Sequence, residues 1–143
     1  EYFNDFPRVR EWQEEIKQQA RTFGYVANLN GRRRWFLGMA LNNPRLQAEA
    51  ERAAINMPVQ SLNADIIKLA MIEGSRMIEE KRWSKKVYLL LSIHDELLFE
   101  IKEDILNEAA PVIRDLMEKI YKLQVPLKAG IKTGRNWRET KAF

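Results

Sequence analysis

Val9, Trp12, Ile16, Ala20 and Phe23 recur at three- and four-residue steps. That is the spacing of one helix face, and it predicts a helix over residues 7–23. Pro7 suits the first turn, and Gly24 supplies a stop. Next, "YVANLNGRRRWF" sets Asn30-Gly31 between two short apolar or aromatic pieces. Asn-Gly is the strongest short hairpin signal, because both residues tolerate positive φ in a tight turn. A stretch rich in Ala, Glu, Arg and Leu predicts a helix from 44 to about 57, which Pro58 should interrupt. A longer helix is expected from about 59 to 81.

The period then changes from helical to alternating. In "VYLLLSI" Val87, Leu89, Leu91 and Ile93 are expected on one face, and in "ELLFEI" Leu97, Phe99 and Ile101. Glu100 and Lys102 fall on the other side, as a half-solvated strand requires. A helix from about 104 to 121 follows, then a strand in "PLKAGIKTG" and a short tail. Helices, an antiparallel hairpin, a helix and a last strand make an α+β layout, with helices packed on a small antiparallel sheet.

With 143 residues, 45% of them apolar, the chain can bury a sizeable core as one domain. No apolar run reaches 18 residues, so no membrane span and no membrane partner is expected. The N-terminus lacks the plan of a secretion signal, and the first residue is Glu, which suggests an excised or partial chain. There is no Cys, which excludes disulfides and thiolate metal sites and fits an intracellular setting. A formal net charge of +4 permits a polyanionic partner without demanding one.

The chemistry of interest sits in "YLLLSIHDELLFEI", where His94, Asp95 and Glu96 interrupt an apolar run. Carboxylates among core-type residues are costly unless solvated or neutralised. One reading makes His94 and Asp95 plain turn residues, since Asp tolerates unusual backbone angles. The other aims carboxylates at one point, as Mg²⁺ chemistry needs: that hard ion takes one or two protein carboxylates and completes its shell with water and phosphates. A two-metal site needs a further acid on a neighbouring strand. Asp65 falls in a predicted helix and Asp104 opens one, so neither qualifies.

"SIHDELLFEI" resembles the His-Asp-Glu motif in the palm of family A DNA polymerases. "ERAAINMPVQSLNADIIKLAMI" is similar to a second signature of that family, "GYVANLNGRRRWF" resembles a third, and "VPLKAGIKTGRNWRETK" matches how such chains end. These four segments stand in the family's order and cover nearly the whole chain. The resemblance implies nucleotidyl transfer from a dNTP to a primer 3′-hydroxyl on primer–template DNA, with two Mg²⁺ ions in the complete active site. Asp95 inherits metal ligation, Glu96 a second carboxylate role, direct or through water, and His94 a place near the primer terminus. Arg52, Asn56 and Gln60 stand at steps of four and match residues set against the minor groove of the duplex. Acceptors there occur in every base pair, so donors can check pair geometry without reading sequence. Without the resemblance, the same three residues read as a solvated helix face with some end capping by Asn56. Arg32, Arg33 and Arg34 form a cationic patch matched to the family's template-side stretch, and read alone they would be a solvated loop.

Three departures stand out. Ser61-Leu62-Asn63-Ala64 replaces the usual Gly-Thr-Ala-Ala after Gln60, and Leu37-Gly38 replaces a Leu-Pro-type step. The family's first metal-binding Asp and its nucleotide-gripping fingers helix are not among residues 1–143. The chain is therefore expected to be a single C-terminal palm portion. Residues to about 58 would end the fingers and about 59–143 would form palm helices and strands. It should need an N-terminal polymerase portion, in the same chain or a separate subunit, and be inactive alone. The alternative is a non-catalytic nucleic-acid-binding module or accessory subunit derived from the same fold. Surfaces meant for the rest of the enzyme should promote self-association.

Overall fold

The computed structural model describes residues 2–36 and 43–143. The Leu37-Gly38 step lies outside the described residues. The chain forms two compact units, Glu1–Asn63 and Ala64–Phe143.

In the first unit a short helix α1 (Tyr2–Asp5) precedes α2 (Pro7–Phe23). Gly24 ends α2 at φ +73°, donating its N–H to the Ala20 carbonyl at 3.0 Å. That left-handed conformation is one glycine adopts without a Cβ penalty. The chain then turns into β1 (Tyr25–Ala27) and β2 (Arg33–Trp35), paired antiparallel as Tyr25↔Trp35, Val26↔Arg34 and Ala27↔Arg33. The Asn-Gly hairpin is present, but the turn is not the two-residue form. Gly31 N–H bonds the Asn28 carbonyl at 2.9 Å, and Gly31 alone has positive φ, +78°. This is the three-residue loop with a left-handed glycine at its end. Buried Asn28 organises it, its Oδ1 accepting from the N–H groups of Asn30 (2.9 Å) and Arg32 (3.0 Å).

Ile16 and Ala20 of α2, Val26 of β1 and Phe36 pack with Ala54 and Met57 of α3 (Pro44–Glu80). The Arg21–Glu51 ion pair joins the same two helices. Exposed ion pairs contribute little, so the apolar cluster dominates: fully burying a Val or Ile side chain is worth about 1.5–3 kcal/mol. Phe23, expected on the inner stripe of α2, is instead exposed, its ring beside Tyr25 while Ala20 of the same turn is buried.

The expected break at Pro58 does not occur. α3 is one helix of 37 residues with Pro58 inside it. Proline removes one N–H, leaving the Ala54 carbonyl without its usual donor, and packing of the flanking turns overrides that local cost. The Ser61-Leu62-Asn63-Ala64 departure also lies within the unbroken helix, with Ser61 Oγ 3.8 Å from Met57 Sδ.

In the second unit α3 ends on Arg82, whose φ is +58°. Its N–H bonds the Glu79 carbonyl at 2.9 Å, and the Trp83 N–H reaches back to Ile78 at 2.8 Å. This paired closure tucks Trp83 into a core with Met77, Ile78, Val87, Ile105, Ala109 and Ile113. β3 (Val87–Ile93) and β4 (Glu96–Ile101) form the predicted hairpin. Their facing differs from simple alternation, however. Leu89 pairs with Phe99 and Leu91 with Leu98, so Leu90 is an extra, bulged residue. A one-residue insertion reverses which side each later residue faces. Val87 and Leu89 therefore share the inner face with Phe99 and Ile101, while Leu91 and Ile93 turn to the outer face with Tyr88 and Leu98.

A one-turn 3₁₀ segment (Glu103–Ile105) leads into α4 (Leu106–Lys119). The predicted strand over 126–134 is mostly irregular. Only β5 (Lys132–Thr133) is extended, paired with β6 (Lys141–Ala142) from the tail. Glu118 Oε1 holds the irregular stretch to α4 by accepting the Ala129 N–H at 3.1 Å. A cavity of about 580 Å³ lies between β4, α4 and this tail, lined by Phe99, Ile113, Met117, Arg135 and Trp137 among others. Helices with small antiparallel ribbons fulfil the α+β expectation. Among the described residues no helix is long and apolar enough to cross a membrane.

Candidate active site and nucleic-acid surfaces

Ile93↔Glu96 is the last pair of the β3–β4 ladder, so His94 and Asp95 are the two central residues of a tight turn. His94 takes the left-handed conformation, φ +53°, whereas Asp95 is not among the positive-φ residues. Positive φ at the first central position alone is the sign pattern of a type II′ turn, where glycine is the usual choice. Holding a side chain there costs on the order of 1–3 kcal/mol. Asp was expected to absorb the unusual angles, and His94 does so instead.

His94, Asp95 and Glu96 are all exposed. Solvation answers the cost of placing carboxylates in an apolar run, because the strands are apolar and the apex is wet. Sequence adjacency and the turn keep the Asp95 and Glu96 carboxylates at one end of the ribbon. Among the described residues no group of three His, Asp or Glu side chains gathers into a metal site. Two exposed carboxylates still suit Mg²⁺ in part, since that ion takes few protein ligands and leaves the rest of its shell to water and phosphate. Asp65 is buried on α3, and Asp104 lies in the 3₁₀ turn before α4. The Asp104 carboxyl is held below the usual carboxylate range, mainly by its hydrogen bond from Lys86 Nζ at 2.6 Å.

The continuity of α3 changes the reading of Arg52, Asn56 and Gln60. With Pro58 inside the helix, all three lie on one exposed strip of the first unit, apart from buried Ala54 and Met57. Asn56 is mid-helix and caps nothing.

Arg32, Arg33 and Arg34 are exposed but do not form one patch. Successive strand residues point to opposite faces. The Arg33 guanidinium sits 4.6 Å over the Tyr25 ring, on the face of Tyr25 and Trp35. Arg34 lies on the other side, 5.3 Å from the Phe36 ring centroid. Sequence reasoning missed the aromatic series Phe23–Tyr25–Trp35, whose neighbouring centroids are 6.2 and 5.0 Å apart. Alternation of Tyr25 and Trp35 with the core residues Val26 and Phe36 was the available signal.

Known proteins match this arrangement. The family model for DNA polymerase family A matches residues 1–139. The thermostable DNA polymerase I of Thermus filiformis is 41% identical over 140 residues, covering 98% of this chain and 16% of the relative. DNA polymerase I of Rhizobium leguminosarum is 38% identical over 142 residues, covering 96% and 14%. Among solved structures, the POL domain of Pol1 from M. smegmatis, in complex with DNA primer-template and dNTP, superposes with a TM-score of 0.83. It is 39% identical, and the match covers 89% of this chain and 22% of that one. The chain thus spans about one-sixth of the length of its polymerase relatives. Matched from residue 1 to residue 139, with an acidic hairpin apex and a long helix carrying Arg52, Asn56 and Gln60, the chain belongs to DNA polymerase family A.

Proposed function

We propose that the chain serves template-directed DNA synthesis as the part of a larger or split polymerase that carries Asp95. One observation carries this reading: a strained two-residue turn holds Asp95 and Glu96 in solvent at the end of a ribbon packed on its inner face. Asp95, with Glu96 beside it, would hold Mg²⁺. When bound, the metal supplies positive charge where negative charge develops on the transferring phosphoryl group. In the reaction a primer 3′-hydroxyl forms a bond to the α-phosphate of a dNTP, and the bond to the departing pyrophosphate breaks. His94 flanks the primer end. Arg52, Asn56 and Gln60 donate hydrogen bonds to minor-groove acceptors of the primer–template duplex. Arg32, Arg33 and Arg34 attract its phosphates, so binding weakens with salt and ignores sequence.

In this reading residues to about 58 end the fingers, and the remainder belongs to the palm of an enzyme working with DNA inside the cell. The further carboxylate and the nucleotide-gripping helix belong to the portion of the relatives' length that this chain does not span. The primer-template and dNTP held by the M. smegmatis relative support the choice of partners.

Two measurements test the assignment. Primer extension by the chain combined with the remaining polymerase portion should fall about a thousandfold in Asp95→Ala, the equivalent of ~4 kcal/mol of lost charge stabilisation. Mn²⁺ added to the chain alone should broaden the amide signals of residues 94–96 before others. Undiminished extension by Asp95→Ala would remove the catalytic role. The other reading is a module or accessory subunit of the same fold that only binds DNA. Salt-sensitive DNA binding, with no extension under any complementation, is its signature.

A further inference from the structure

Asn63 stands in Ser61-Leu62-Asn63-Ala64, where the usual Gly-Thr-Ala-Ala has an alanine. Asparagine is a poorer helix former than alanine, because its side chain competes for backbone hydrogen bonds. It sits well inside α3, far from either end, where it can cap nothing. Its side chain is exposed and makes no hydrogen bond with another described residue. Alanine would serve the helix better, so the amide needs another explanation.

Its azimuth supplies one. Eleven residues make about three turns at about 3.6 residues each, so Asn63 returns almost to the line of Arg52. It falls between Arg52 and Asn56, within the exposed strip that also carries Gln60. Ala54 and Met57 lie on the opposite, buried side. Among the described residues none of Arg52, Asn56 and Gln60 makes a side-chain hydrogen bond or ion pair either. One turn further the same side of α3 is buried at Ile66 and Ile67, so Asn63 is the last polar residue of the strip.

We propose that Asn63 is a fourth hydrogen-bonding residue of this strip, donating its amide to the minor groove of the primer–template duplex beyond the pair met by Gln60. The proposal rests on the duplex reading of Arg52, Asn56 and Gln60 and adds a residue that the family pattern does not supply. Three helical residues advance about 4.5 Å, against about 3.4 Å per base pair, so the added contact falls about one pair along. Asn63 has the same reach as Asn56. Purine N3 and pyrimidine O2 recur in every pair, and the Asn carbonyl can accept from the guanine amino group, so the contact suits any template.

Fluorescence anisotropy of the 143-residue chain with a labelled duplex of alternating adenine and thymine tests this. A second duplex carries 3-deazaadenine at every adenine, which replaces the N3 acceptor by a C–H group. Every register is equivalent in both, so sliding does not blur the comparison. Asn63→Ala should bind the ordinary duplex about fivefold more weakly, the worth of one hydrogen bond. The analogue should weaken the wild-type chain more than Asn63→Ala, which has already lost one donor to N3. The salt dependence should be unchanged, since no charge is removed, and the thermal melt no lower, since alanine favours the helix. Asn63→Gln should recover most of the affinity. Wild-type affinity in Asn63→Ala, or an analogue penalty as large as that of the wild type, overturns the assignment. If Asn56→Ala and Gln60→Ala weaken the ordinary duplex while Asn63→Ala does not, the duplex reading of the strip stands and Asn63 leaves it. A wild-type chain that binds no duplex, or is indifferent to the analogue, overturns both.

Discussion

His94 combines an exposed, polar side chain with a backbone conformation that glycine would adopt more readily. If stability alone set the residue, glycine would be expected at the first central position of this turn. His94→Gly should therefore stabilise the chain by up to about 0.6 kcal/mol, the smaller end of the relieved strain, about 1 kcal/mol, less the extra freedom of glycine in the unfolded state, about 0.4 kcal/mol or more. Thermal unfolding followed by circular dichroism should show a midpoint a few degrees higher, and a lower midpoint would mean the turn is unstrained. At this scale the sequence was only partly legible. The acidic apex could be placed from strand alternation alone, whereas its roles came from resemblance. Which residue bends could not be read, because Asp and His both tolerate positive φ. Asn28 was invisible for another reason: its side chain acts through backbone N–H groups of Asn30 and Arg32, which carry no residue-type signal.

Elements were most legible where one local rule governed. The bounds of α2 follow from its apolar stripe, Pro7 and Gly24, and the β3–β4 hairpin follows from alternation about residues 94 and 95. They were least legible where tertiary contacts overrode a rule. Pro58 reads as a break, but the turns on either side bury residues, and the helix continues. The extra residue at Leu90 cannot be inferred from a run of three leucines, although it decides which of them face the core. The joint between β3 and α4 has an electrostatic clasp, Lys86–Asp104, beside the backbone bond from Lys102 N–H to the Lys86 carbonyl at 2.8 Å. The hydrogen bond from Lys86, with its charge, lowers the Asp104 pKa in the folded state. A depressed carboxylate contributes stability above its unfolded pKa of about 3.9, and loses it as pH falls through the lower folded value. Lys86→Met should raise the Asp104 midpoint toward the ordinary range, as ¹³C NMR of its side-chain carboxyl would register. It should remove that contribution near neutral pH and leave stability unaltered once Asp104 is protonated. An unmoved midpoint would show the clasp to be absent in solution.

For the whole molecule, the informative surface is the one its own core does not cover. The bulge at Leu90 sends Leu91 and Ile93 outward beside Tyr88 and Leu98, and Tyr88 and Leu91 remain 44% and 48% exposed. Among the described residues β3 and β4 pair only with each other, so each strand has an outer edge with unpaired backbone groups. An apolar strip of Tyr88, Leu91, Ile93 and Leu98, with Glu96 and Glu100 on the same face and open strand edges beside it, invites a second strand or sheet. The chain alone should therefore self-associate as its concentration rises, through the outer face of the hairpin rather than through its net charge. Leu91→Lys places a strongly hydrated charge at the centre of that strip without touching Val87, Phe99 or Ile101 on the inner face, and burying it against a second copy would cost desolvation. Light scattering coupled to size exclusion should give a mass above the monomer that grows with loading for the native sequence, and a monomer for Leu91→Lys. A native chain that stays monomeric at every loading would show that the face is tolerated in water, and that nothing need cover it.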